Sequence, residues 1–592
     1  MNKTHQPILY RLKPVDLAGH RFSVSLTIPE PQRQGQILAL PAWIPGSYLI
    51  RDFSRHIESI QAWSGRQRVA LSKINSHAWR AGRCNGPLRV EIVVYAWDLS
   101  VRGAHLDETH GFFNGTSVFL MAKGFESHPC RLTILPPDGV SGWHVYTSMR
   151  TLKGKTDRRG FGLYQANDYD DLIDHPVEMG KPQTLRFKAC GSEHVMVFTG
   201  LVPNLDLDRI GQDVKKICES HIRLFEPDTE TAPILDSADR YVFMTMVTGD
   251  GYGGLEHRAS TALMAARKDL PTLGHPTAPE GYQTFLGLVS HEYFHTWHVK
   301  RIKPAAFVPY DLQRENHTRL LWIFEGFTSY YDDLMLLRSG VITEKDYFKA
   351  LAKQISSVMS APGRKKQSVA QSSFDAWTRY YKQDENAPNA IVSYYAKGAL
   401  VALAIDLSIR ARSQGRHSLD DVMRLMWETY GRHFYQGQPK GVSESEFARI
   451  VDAATGVDLK TEIHAWTEGT EDLPLEKLLA TQGIRLQWKE PKALPVLNVK
   501  LKSTPNGCAI ASAIEGGAAH LGGLSAHDVL IAIGGVRIDD TPASVDRALA
   551  RHQAGETVPI HVFRRDELRC FDVRLGEPAS SECQLVRPGA ST

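Results

Sequence analysis

The stretch Gly287-Leu-Val-Ser-His-Glu-Tyr-Phe-His-Thr-Trp297 contains H-E-x-x-H, with His291, Glu292 and His295. Residues four apart on a helix stand one above the other, so both imidazoles can face one metal ion. Glu292 then lies beside the ion, placed to hold and deprotonate a bound water. This is the arrangement of zinc peptidases. In a chain with 24 histidines so short a motif also arises by chance, and two structural histidines on an amphipathic helix read the same way. The case therefore turns on a third ligand and a substrate site. Downstream, Leu321-Trp-Ile-Phe-Glu-Gly-Phe-Thr-Ser-Tyr-Tyr-Asp332 reads as a second helix with Glu325 near its start. The intervening residues 296–324 are ample chain for a loop and a return. A carboxylate there completes a His₂Glu set, one zinc per chain, with a position left for water. Thr328 is a candidate to orient one of the ligands.

Upstream, the apolar strand pattern Arg240-Tyr-Val-Phe-Met-Thr-Met-Val247 runs into Thr248-Gly-Asp-Gly-Tyr-Gly-Gly-Leu-Glu-His-Arg258. Gly253 and Gly254 let the backbone run close to a bound peptide, and Glu256 supplies a carboxylate. A glycine-rich turn with an exposed glutamate is the plainer reading of the same residues. Residues 389–412 have the pattern of a long apolar helix carrying Tyr394, Tyr395, Lys397 and Gly398.

Taken together, these motifs resemble the glycyl aminopeptidase family of zinc metallopeptidases. The resemblance rests on the H-E-x-x-H stretch, Glu325-Gly-Phe-Thr-Ser-Tyr330, Gly253-Gly-Leu-Glu-His257 and Tyr394-Tyr-Ala-Lys-Gly398. It extends to Pro41-Ala-Trp-Ile-Pro-Gly-Ser-Tyr48 near the N-terminus and a PDZ-like C-terminus. The resemblance implies that Glu256 holds the α-ammonium of the substrate. His257 agrees with the family where the larger aminopeptidase group has Asn. Tyr395 takes the place of the transition-state tyrosine. It also implies preference for N-terminal glycine or alanine. The alternatives are a broader-specificity peptidase, or a PDZ interaction protein on an inactive peptidase scaffold.

Up to about residue 200, apolar and polar positions alternate, as in Phe22-Ser-Val-Ser-Leu-Thr-Ile28 and Leu88-Arg-Val-Glu-Ile-Val-Val-Tyr95. The expected fold class is therefore multidomain α+β, with an N-terminal β-sandwich-like domain over 1–200. A thermolysin-like, mainly helical catalytic domain with a helical extension follows over 201–478. A PDZ domain is expected over 479–578 and a disordered tail over 579–592. Within the PDZ-like part, strands are expected over 496–501, 508–514, 529–533, 558–564 and 568–575, with a helix over 543–552. Its groove is expected to accept a peptide or protein C-terminus, with Gly483-Ile-Arg-Leu486 a weak candidate for the carboxylate loop. Two N-terminal stretches, residues 43–48 and the polar 102–110, are candidate loops toward the active site, ordinary surface loops being the alternative.

With 592 residues, 69 basic and 66 acidic, net charge is +3, which gives no push toward nucleic acid. No apolar run reaches the length of a membrane span, and the first residues lack a signal-peptide core. Seven scattered cysteines without a C-x-x-C pair read as thiols. A cytoplasmic enzyme acting on peptides with a free N-terminus is the expectation.

Overall fold

The computed structural model describes residues 6–437, 439–491, 494–578 and 580–588. The chain divides into two compact units. One comprises Met1–Asn316, Tyr331–Ile342 and Asp420–Phe447; the other comprises His317–Tyr330, Thr343–Leu419 and Ala448–Thr592.

In the first unit, period-two patterning builds an eight-stranded sheet. Strand Arg21–Ile28 pairs antiparallel with Leu88–Tyr95, placing Phe22 opposite Val94 and Ile28 opposite Leu88. Phe22, Val24, Leu26 and Ile28 all point to the core, as do Leu88, Val90, Ile92 and Val94. Such alternation is what a sheet with one covered face requires.

A second, five-stranded sheet of this unit carries the chemistry. Its order is Gln183–Ala189, Ser192–Thr199, Arg240–Thr248, Ser260–Ala266 and Gly253–Glu256. The three middle strands are parallel, and Gly253–Glu256 adds antiparallel at one edge. Seven consecutive residues of Arg240–Thr248 are buried, as expected of a strand covered on both faces. The helix Gly281–Phe294 packs on Ser260–Ala266 and Gly253–Glu256. Residues 183–199, expected within the N-terminal β domain, join this sheet instead, because Ser192–Thr199 pairs with Arg240–Thr248. Residues 102–110 are loop only in part, at 102–103 and 107–109. Ala104–Leu106 and His110–Phe113 form a hairpin whose His105 and His110 are buried.

The second unit is helical and then β. Helix Glu344–Ser360 starts with the expected capping box, Thr343 and Asp346 bonding each other's backbone N–H. The expected long helix over 389–412 is broken into Ala387–Ala390 and Ala396–Arg412, so Tyr394 precedes the second helix and Tyr395 is its N-cap. The C-terminal sheet contains Val499–Thr504, Gly507–Ala513, Val529–Ile533, Thr557–Arg564 and Glu567–Arg574, near the expected strands. It encloses its own apolar core with helix Pro542–Leu549. Two expectations are corrected. The tail is not wholly without structure, since Cys583–Val586 pairs antiparallel with Arg485–Trp488. Cys583 and Leu585 are buried there, and Cys583 N–H donates to Ser356 Oγ at 2.9 Å. Residues 579 and 589–592 lie outside the described residues. For the same reason Arg485 and Leu486 are strand residues of that small sheet rather than a loop.

A buried charge cluster stiffens the first unit. Asp174 accepts from Arg258 Nε at 2.9 Å and Lys300 Nζ at 2.8 Å, and pairs with His257 Nδ1 at 3.0 Å. Arg258 also reaches Asp170 at 2.6 Å and Asp171 at 3.2 Å. Burial alone would raise the pKa of Asp174 and of Asp171. Lys300 with His257 and Arg258 holds Asp174 well below the carboxylate range, and Arg258 with His175 holds Asp171 at about 2. Asp174→Ala should cost about 3–5 kcal/mol, read from the denaturant midpoint, because two buried cations lose their shared partner. Both folded-state pKa values are depressed, so the stabilisation is present above the unfolded value of about 3.9. It is lost as pH falls below that, through about 2 for Asp171. Midpoints measured from pH 6 to 2.5 should show wild type falling in acid, and Asp174→Ala falling less.

Candidate active site

The H-E-x-x-H motif sits at the C-terminal end of helix Gly281–Phe294, with His295 as its C-cap. The rings of His291 and His295 stand 4.8 Å apart between centroids and nearly perpendicular, at 82°. Each ring is held through Nδ1. His291 Nδ1 faces Asp332 Oδ2 at 3.2 Å, and His295 Nδ1 faces the His298 carbonyl at 2.8 Å. An oxygen acceptor at Nδ1 places the proton there and leaves Nε2 as the nitrogen of each ring able to bind a metal. The donor set therefore fits zinc. Asp332 is itself backed up, because Ser290 Oγ donates to its carbonyl at 2.8 Å and lies 3.0 Å from the buried His221 Nε2. Burial holds His221 down at about 3, so it is neutral.

Asp332, rather than Thr328, orients a histidine. The Thr328 hydroxyl donates to the Phe324 carbonyl of its own helix at 2.8 Å. Asp332 was legible only as a carboxylate seven residues beyond Glu325, in the stretch read from the sequence as one helix.

The glycine-rich segment is an edge strand, and Glu256 is buried, not an exposed turn residue. Ligand-type atoms of Glu256, Glu292 and His295 all lie within 4.8 Å of one another. Gly254 explains how. A Cβ at that position would stand 2.0 Å from Glu292 Oε1, so a side chain there would collide with the carboxylate. The turn of residues 43–48 supplies the other wall. Trp43 Nε1 donates to the Asp311 carbonyl at 2.9 Å, and Gly46, at φ +94°, would place a Cβ 2.5 Å from both Glu256 oxygens. Gly46 thus joins the site as a residue the sequence marked only as a possible loop. His257 belongs to it differently. It is buried with its ring on Asp174, so its side chain anchors the end of the strand.

In the second unit, Glu325 is buried at a break between the short helix Leu321–Phe324 and Gly326–Arg338. The single helix expected here is interrupted at that residue. Helix Ala396–Arg412 crosses at bare backbone: a Cβ on Gly326 would lie 2.6 Å from Gly398 Cα, and one on Gly398 2.8 Å from the Trp322 carbonyl. Tyr394 is fully buried and stacks on Tyr395 at 4.7 Å, whereas Tyr395 is half-buried. Tyr395 OH lies 3.4 Å from Tyr381 OH.

Residues 9–181 match the peptidase M61 N-terminal domain, and residues 284–401 match the M61 glycyl aminopeptidase domain. The chain is 41% identical to the aminopeptidase N family protein from Idiomarina loihiensis, with 98% of each chain covered and a TM-score of 0.92. The chain belongs to the M61 glycyl aminopeptidase family. Family membership makes it a peptidase of the aminopeptidase type. An M1 zinc metallopeptidase from Deinococcus radiodurans is 14% identical over 79% of this chain and 95% of its own, with a TM-score of 0.48. No curated protein matches the chain. Among the described residues of this M61 chain, no helix is long and apolar enough to cross a membrane.

Gly46→Ala tests the wall behind Glu256. The methyl group meets the carboxylate and a left-handed backbone, so kcat/KM on a Gly-arylamide should fall at least about tenfold. Circular dichroism like that of wild type would show that the loss is local.

Proposed function

We propose that this M61 chain is a zinc aminopeptidase that removes N-terminal residues, glycine and alanine foremost. His291, His295 and Glu325 are the proposed ligands. The observation that carries the reading is the grouping of Glu256 with Glu292 and His295. A carboxylate that can hold an ammonium stands next to a carboxylate that can serve as base, beside a metal-directed histidine.

Bound zinc would act as a Lewis acid on water and on the scissile carbonyl. Glu256 pairs with the substrate's free α-ammonium, so cleavage is counted from the N-terminus. Gly253 and Gly254 let the peptide lie against the edge strand. Glu292 takes the proton of the attacking water and later delivers it to the leaving amine. Tyr395 donates to the oxyanion as charge develops. Its partial exposure, against the full burial of Tyr394, favours it for this role.

Two further parts of the proposal concern the rest of the chain. Residues 479–578 are read as a PDZ domain receiving an extended peptide or protein C-terminus. Anisotropy of labelled C-terminal peptides on the full chain tests this, and binding indifferent to C-terminal amidation would count against it. The seven cysteines are all free thiols, which favours a cytoplasmic setting.

Glu292→Gln should keep zinc, measured by elemental analysis, yet lose turnover by at least about a hundredfold. Near-normal turnover would overturn the mechanism. Tyr395→Phe should lower kcat by about a hundredfold with little change in KM. Tyr394→Phe should do much less, and the reverse order would move the role to Tyr394. N-acetylation of Gly-arylamide should abolish cleavage, since it removes the charge that Glu256 pairs with.

A further inference from the structure

The strand that carries Glu256 has a cation beside its other end. Among the described residues, and apart from its chain neighbours, Arg102 Nη1 is the one atom within 4 Å of where a side chain at Gly253 would begin, at 4.0 Å. Successive residues of a strand face opposite sides. Gly254 accordingly turns to Glu292 and Gly253 to Arg102.

Arg102 is held in place by its backbone. The amide of the fully buried Asn114 donates from Nδ2 to the carbonyls of Val101 at 2.9 Å and Gly103 at 3.3 Å, one on each side. Arg102 N–H donates to Ser100 Oγ at 3.2 Å. Its guanidinium is less satisfied. Nε is buried with no hydrogen-bond partner among the described residues. A buried donor left unpaired is destabilising, so the guanidinium is suited to a ligand that brings oxygens to it.

Gly253–Glu256 is an edge strand, paired only through Ser260–Ala266 in the sheet order. An extended peptide with its ammonium at Glu256 and its backbone antiparallel to this edge runs back toward Gly253. At roughly 3.4 Å per residue, the three steps from Glu256 to Gly253 span about 10 Å, about the length of an extended tripeptide from its ammonium to its carboxylate, so that carboxylate arrives beside Arg102. A guanidinium matches a carboxylate in a two-pronged pair.

We infer that Arg102 forms a subsite for the C-terminal carboxylate of short peptides, so that the centre selects tripeptides over longer chains. This rests on Glu256 holding the substrate ammonium, as proposed above. The two carboxylate and guanidinium contacts then measure the substrate from both ends. Gly253 keeps the space between strand and guanidinium open, as Gly254 does for Glu292.

The test compares kcat/KM for Gly-Ala-Ala as free acid, Gly-Ala-Ala as C-terminal amide, a Gly-initiated hexapeptide acid and Gly-arylamide. The zinc-loaded full chain is used as wild type, Arg102→Gln and Arg102→Lys. Wild type should prefer the tripeptide acid over its amide, and over the hexapeptide, by about tenfold or more. Arg102→Gln should bring the acid-to-amide ratio close to one through KM, and Arg102→Lys should retain part of the preference. A wild-type ratio near one, or a full ratio retained in Arg102→Gln, would overturn the inference. Should Arg102→Gln fail to fold, the wild-type and Arg102→Lys ratios still decide it. If wild type cleaves none of the four, it is the aminopeptidase reading that fails.

Discussion

One close approach governs the candidate centre: the backbone of Gly254 lying directly against the Glu292 carboxylate. An edge strand and a buried helix can meet at this distance only where the strand has no side chain. From that contact follow the juxtaposition of Glu256 with Glu292 and His295, and the open edge along which a peptide can pair. The same device recurs at Gly46 against Glu256 and at Gly326 against Gly398. In each case an acid used by the proposed chemistry is a neighbour in space or in sequence of a bare backbone position.

Buried charge forms the second layer. Around Asp174, mostly buried cations and carboxylates tie the helix Tyr169–Ile173 to His257 and Arg258, which directly follow the strand Gly253–Glu256, and to Lys300, which follows the helix Gly281–Phe294. Arg301 extends the network to Asp236 and to the Arg258 carbonyl. Buried charges are stable only with their partners in place, so this network holds the strand and the helix in register. The Nδ1 contacts of His291 and His295 do the same for the rings, setting tautomer and orientation before any metal binds.

Much of this was legible without coordinates. Period-two alternation predicted the strands Arg21–Ile28 and Leu88–Tyr95, and the C-terminal strands were placed to within a few residues. The H-E-x-x-H spacing placed its two histidines one turn apart, as found. Local patterns are reliable here because they report a backbone period and a burial direction, both of which are properties of a few consecutive residues. Where the reading missed, the deciding contact was distant in sequence. Residues 183–199 changed sheets because their partner strand begins at Arg240, and Cys583–Val586 gained structure from a strand a hundred residues earlier.

The sequence by itself determined the family, the H-E-x-x-H spacing that sets His291 and His295 one turn apart with Glu292 between them, and most of the strands and helices that carry these residues. Those follow from spacing, alternation and motif, which need no knowledge of what lies across the fold. Only the tertiary structure decided that Glu256 is buried rather than exposed, that Asp332 and not Thr328 orients His291, and that the turn of residues 43–48 lies against the Glu256 carboxylate. It alone set Arg102 beside Gly253. The physical reason is the same throughout: a hydrogen bond or a steric limit acts over a few ångströms, and the residues it joins here lie 40 to more than 200 positions apart in the chain.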